Sequence, residues 1–253
     1  MANQILRFLW GALFIAVVPL VCLAQTRPRA EPVAMDSSDQ NATAAANAAM
    51  VGSMAGDPHF KLTPVHAANP ADSARAAALV ATIRAALARY RDVRLAEADG
   101  YQKFLPGVRQ PVYHFTNYRY ALEERFRFNP AKPTSLLYRS QPDGSLELIG
   151  VMYDDAPGTS LEELDRRVPF SITQWHQHVN WCVPPRGQKE RWSETRGGQP
   201  VFGPRSPIAD EAGCAAVGGR FLPRIFGWMV HVNAFASDDP AVIWGGEGHG
   251  HMH

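Results

Sequence analysis

Apolar positions follow two rhythms along this chain. In the stretch ADSARAAALVATIRAALARYRDVRLAEADG, Leu79, Ile83, Leu87 and Tyr90 recur at helical spacing. Asp72 or Ser73 can cap this helix and Gly100 can stop it, and its alanine-rich side suits close packing on a sheet. Beyond Gly100 the rhythm shortens. PVYHFTNY, TSLLYRS and LELIGVMYDD alternate, and QPDG between the last two is a hairpin signal. GWMVHVNAFA reads as a strand from its β-branched and aromatic content. YALEERF offers one or two helical turns, and SLEELDRR carries the capping pattern Ser160 with Glu163. The prediction is an α+β single domain over residues 58–245: an antiparallel sheet packed against one long N-terminal helix, with several short helices and long Pro/Gly-rich loops.

The two ends of the 253-residue chain lack either rhythm. Residues 1–24 hold one arginine, no acid and an apolar run from Phe8 to Leu23, with Cys22 and Ala24 as the small residues before a cut. That is the pattern of an export signal cleaved after Ala24, with a retained anchor or a lipidated Cys22 as the other readings. Residues 25–57 have no aromatic residue and no apolar period, so they cannot offset their ordering entropy and read as a leader outside the fold. The end, residues 246–253, reads as a His-rich flexible tail.

Charge narrows the partners. Of 25 basic and 24 acidic residues, cleavage removes only Arg7, which leaves 25 − 1 = 24 of each sign. A net charge of zero excludes nucleic-acid binding by bulk charge, and no stretch after the signal approaches the ~20 apolar residues of a membrane span. The protein is expected in the periplasm or secreted. In that oxidising setting the two remaining cysteines, Cys182 and Cys214, are expected to form a disulfide, with a metal-binding or nucleophilic Cys182 as the rival.

Candidate chemistry centres on QWHQHVNWC, residues 174–182. On a strand, His176, His178, Asn180 and Cys182 share one face, and two imidazoles at i and i+2 stand side by side. The same stretch also fits a helix through Val168, Ile172, Trp175, Val179 and Cys182, which would turn the two histidines roughly 200° apart. Pro169 and the β-branched Ile172, Thr173 and Val179 favour the strand. WMVHVNAF offers His231 and Asn233 in a near-copy of that context, and YHFTN offers His114. Neutral imidazoles on rigid strands suit a transition metal, Zn or Cu before others, with Asn180 and Asn233 placed to orient the ligand rings from behind. His59 and His66 are not expected to be ligands. His249, His251 and His253 of the tail could capture metal, and Met252 adds a soft donor, whereas Met152 and Met229 read as core. The Pro/Gly-rich stretch 183–213 is long enough for a lid, with Glu190, Glu194 or Asp210 as a base. The acids of DDAPGTS and ASDDP are accounted for by turns.

RYRDVRLAEADGY, PTSLLYR, GSLELIGVMY, WHQHVNWC and FGWMVHVNAFASDDP resemble a group of exported bacterial proteins to which no function is assigned, over roughly residues 85–245. The resemblance implies a shared fold and inward-facing His114 and His231. It also implies a difference, since a glutamate stands in more distant members where Met152 stands here. Three function classes follow. The first is an exported protein with a histidine-lined transition-metal site, catalytic if a coordination position is open. The second is a non-catalytic metal carrier or sensor loaded by the tail. The third is a metal-free envelope or ligand-binding protein with Trp175, Trp181 and Trp228 lining a groove.

Overall fold

The computed structural model describes residues 54, 56–107 and 110–245. Eight strands form one antiparallel sheet. In chain order these are β1 (Phe60–Leu62), β2 (Gln102–Lys103), β3 (Val112–Thr116), β4 (Ser135–Ser140), β5 (Leu146–Asp155), β6 (His176–Val183), β9 (Arg220–Arg224) and β10 (Trp228–Val232). The strand order is β1-β6-β10-β5-β4-β3-β2, and β9 joins β6 from the side. A separate two-stranded hairpin pairs β7 (Thr195–Arg196) with β8 (Gln199–Pro200). The predicted α+β architecture is what the chain adopts.

Helix α1 (Pro70–Leu87) covers one face of the sheet. Its buried Leu79, Val80, Ile83 and Leu87 pack with Leu136, Tyr138, Val151, Tyr153, Val230 and Val232 in the largest apolar cluster. The cap is Asn69, whose side chain accepts from the Asp72 N–H at 2.9 Å, so the cap lies earlier than Asp72 or Ser73. The helix is also shorter than the apolar rhythm suggests. After Leu87 the chain makes a 3-10 turn, Ala88–Arg91, and restarts as α2 (Val93–Ala98). Asp92 causes the break: in extended conformation its carboxylate accepts from the Arg94 N–H, a local bond that competes with continuing the helix. The Tyr138 hydroxyl then donates to the freed Tyr90 carbonyl at 2.6 Å and ties the break to β4.

Short helices complete the fold: α3 (Tyr118–Glu124), α4 (Leu161–Arg167), α5 (Glu211–Ala216) and α6 (Pro240–Trp244). Ser160 caps α4 through the Glu163 N–H, as its pattern predicts. Asp239 of ASDDP caps α6. The turn reading of DDAPGTS fails, because Asp154 and Asp155 end β5 with structural partners. Asp155 pairs with the buried Arg167 at 2.9 Å, and the Thr134 hydroxyl lies 2.5 Å from both Asp154 Oδ1 and Glu124 Oε2. One hydroxyl proton cannot serve two carboxylates, so one of the acids carries a proton. Burial pushes both carboxyls above their usual range, Glu124 strongly.

The sheet is curled. A flat sheet would hold β3 about 14 Å from β10, three strand spacings away, yet rings on those two strands touch. Two features bend it. The register shifts between Leu137 and Tyr138, a bulge in β4. Facing that bulge, Gly150 admits the end of β10 so closely that a Cβ would lie 2.4 Å from the Val232 carbonyl oxygen. The concave face is the one that carries the histidines.

Cys182 and Cys214 are bonded, with S–S at 2.02 Å, across 32 residues. Gly219 packs on the bridge, where a Cβ would meet Cys182 Sγ at 2.4 Å. No helix among the described residues is long and apolar enough to cross a membrane. The expected signal segment 1–24, the leader up to residue 53 and the tail 246–253 lie outside the described residues.

Candidate functional site

Residues 176–183 are strand, not helix. His176 and His178 therefore share a face, with ring centroids 5.5 Å apart. Strand β10 brings His231 to 5.4 Å from the His176 ring. The curl brings His114 of β3 to 5.7 Å from His231. All four candidate ligands thus sit in one cluster, each at most 5% exposed.

Inside the cluster the rings are short of partners. Nδ1 and Nε2 of His114, Nε2 of His176, Nδ1 of His178 and Nε2 of His231 are buried with no hydrogen bond. Burial depresses the basicity of every ring, and the imidazoles beside His114, His176 and His178 depress theirs further. His114 and His178 fall to about 3, His231 falls to about 4, and His176 lies well below its ordinary value. At neutral pH the four are uncharged and present lone pairs.

Two imidazoles bound to one tetrahedral ion at the usual ~2.0–2.1 Å have centroids about 5.2 Å apart. The spacings here exceed that by a few tenths of an ångström. As the side chains stand, no group of three or more His, Cys, Asp or Glu among the described residues meets the requirements for holding a metal ion. Spacing near that value holds for three neighbouring ring pairs, and the rings do not converge on one point.

Neither asparagine stands behind a ring. Asn180 adopts φ +57°, and its amide donates to the Pro58 carbonyl at 3.0 Å. A left-handed residue turns the strand's alternation out of phase, so Cys182 leaves the histidine face and Trp181 comes to 5.7 Å from the His178 ring. Asn233 donates instead to the carbonyls of Val242 and Gly245, and so fastens α6. The tryptophans line no groove. Trp175 and Trp228 are buried in the main core and Trp181 in a second cluster with Trp192. Met152 and Met229 are core residues as expected, in a small cluster beside the histidines.

A cleft of about 250 Å³ opens onto His176 and His231, and residues 170–174 with Met54, Val65 and Trp244 form its walls. No residue of 183–213 lines it, so that stretch is no lid over the histidines. Glu194 is tied to Arg191 and Asp210 caps α5. Sequence reasoning missed Trp244 as a wall, although Asp239 followed by Pro240 is a helix-start signal that could have found α6. It also missed the place of His59, which is buried with its two ring nitrogens 2.9 Å from the Asn180 carbonyl and 2.7 Å from the Ser206 carbonyl. His66 stays exposed near Asp165.

No protein-family model, no curated protein and no solved structure matches this chain.

Proposed function

We propose that this is an exported protein that holds one transition-metal ion, zinc or copper, on His176, His178, His231 and His114. The observation that carries the reading is the set of five buried ring nitrogens without a hydrogen bond, on four rings gathered in one buried cluster. Each unsatisfied buried polar atom costs about 1–3 kcal/mol. Five of them approach the whole stability of an ordinary domain. An ion would satisfy one nitrogen per ring, four of the five, and return most of that cost. Small rotations of the side chains would close the few tenths of an ångström that remain. The disulfide supports the exported setting.

The cleft gives the reading its functional sense. It reaches two of the four rings, so an ion held by three of them, with His114 unbound, would keep one exchangeable position. An ion there could acidify a water, polarise a substrate oxygen or change oxidation state, which leaves both hydrolytic and oxidative catalysis open. Among the described residues no acid or base lines the cleft apart from the rings themselves. The protein's own contribution is therefore to place the ion and exclude bulk water.

The test is element analysis of protein purified without a metal-affinity column, followed by titration with Zn(II) or Cu(II). One equivalent bound tightly in the parent chain, and lost in His176→Ala with His231→Ala, is the expected result. No uptake, or uptake unaffected by that pair, overturns the reading.

A metal carrier is the second reading, and the position of Trp244 favours it. The chain leaves the cleft wall at this residue, so His249, His251 and His253 follow within a short length of chain. Deleting residues 247–253 should then slow metal loading several-fold at unchanged final occupancy. Stopped-flow uptake rates that are identical in both chains would remove the tail from the function.

A further inference from the structure

The geometry points to a second functional surface: helix α3 presents an apolar stripe, bounded by arginines, that docks on an anionic lipid bilayer. None of its residues belongs to the histidine cluster, and the proposal stands whatever that cluster holds.

Helix α3 is amphipathic in the reverse of the usual sense for a surface helix. Its inward residue is the buried carboxylic acid Glu124, while Tyr118, Leu122 and Phe126 are 59%, 57% and 83% exposed. Three of the seven exposed large apolar side chains among the described residues thus fall within nine positions. Such residues scattered singly need no explanation, whereas a contiguous group of them marks an interaction surface. Arg125 keeps helical backbone angles, and the Phe126 and Arg127 N–H groups donate to the Glu123 carbonyl at 3.0 and 3.1 Å. The turn therefore carries through Phe126. At about 100° per residue, Arg125, Tyr118, Leu122, Phe126 and Arg119 occupy one arc of about 120°, in that order. Glu124 lies on the opposite side. An arginine bounds the stripe on each flank.

Charge and size select the occupant. The chain's net charge of +1 hides a local excess, since residues 118–132 carry Arg119, Arg125, Arg127 and Lys132 against Glu123 and Glu124. Of the two acids only Glu123 reaches the surface, where Arg119 and Lys132 share it. Arg119, Arg125 and Arg127 are all exposed. The stripe offers roughly 400 Å² of side chain, about half of the ~800 Å² each partner gives to a stable protein interface. A bilayer asks for less. A few apolar tips enter the acyl boundary to a shallow depth while guanidinium groups meet the lipid phosphates. Three apolar tips between two arginines match that layering.

The experiment places the full chain in deuterated buffer with vesicles of phosphatidylglycerol or of phosphatidylcholine and follows amide exchange by mass spectrometry. Exchange is read at residues 118–127, because the apolar run from Phe8 to Leu23 would bind lipid by itself. Phosphatidylglycerol should slow exchange there several-fold, and phosphatidylcholine should leave it unchanged. Leu122→Ser with Phe126→Ser should abolish the protection. Arg119→Gln and Arg125→Gln should each raise the lipid concentration at half-protection about fivefold. All four positions are exposed, so the variants should keep the parent's urea midpoint within error.

No protection, equal protection on both vesicles, or protection that survives Leu122→Ser with Phe126→Ser overturns the proposal. So does protection that arises without lipid and grows with protein concentration, which assigns the stripe to a second copy of the chain.

Discussion

Each ring of the quartet is uncharged because it lies out of water, so protons act on it through unfolding. An unfolded histidine titrates near 6.5, whereas His178 and His114 do so at about 3 and His231 at about 4 in the fold. Between those values the unfolded chain binds protons that the folded chain refuses. Stability of the metal-free protein should therefore fall as pH drops from about 6.5 toward 4, by about 1.4 kcal/mol per pH unit for each ring. Above pH 7 these rings should contribute no slope. Urea midpoints between pH 7.5 and 4.5 measure this, and His114→Leu should flatten the curve by one ring's share. A slope unchanged by that substitution would mean the ring titrates normally. The four histidines were legible because strand alternation has a period of two, which needs no knowledge of partners. The supporting role of Asn180 was not, because it depended on that alternation running unbroken through a residue that turns left-handed, and that of Asn233 was not, because it stands past the end of β10 with its amide taken by the Val242 and Gly245 carbonyls.

Helix α1 shows how an element can be legible in place and wrong in extent. Its apolar rhythm predicted the buried face correctly, since Leu79, Ile83 and Leu87 all reach the core. The rhythm continues to Tyr90, and only Asp92 reveals that a second helix begins. Caps are local hydrogen-bond decisions, and periodicity does not see them. Asn69→Ala should cost about 1 kcal/mol in chemical denaturation, and Asp72→Ala less if Asn69 is the cap. The bend around Gly150 is a second local decision with a distant result. Gly150→Ala presses a methyl into the β10 backbone and should cost at least about 1–3 kcal/mol. The same substitution should weaken metal binding, because the curl it opposes is what carries His114 across to His231. Equal stability and equal affinity in that variant would show that the sheet tolerates the methyl and that the curl has another origin.

Across the whole molecule, the sheet's membership was legible and its closure was not. Alternation identified β3, β4 and β5, and β-branched and aromatic content identified β6 and β10, whereas β1, β2 and β9 are too short or too ordinary to carry a pattern. Strand order depends on contacts between distant segments, and a single sequence does not display these. The disulfide was legible from composition and compartment alone. Opening it, by Cys182→Ser with Cys214→Ser, should cost roughly 3–4 kcal/mol in the chain-entropy picture.

Where that loss is felt follows from β6. Residues 176–178 of the strand pair with β1 and β10, and from Val179, beside the kink at Asn180, its partner is β9. The kink thus acts as a firebreak. In the bridge-free chain, amide exchange should quicken around residues 181–224 and stay slow at 176–178 and 228–232. Damage to the fastening would then be quarantined from the imidazoles, and the four rings would keep their places even in a reducing spell.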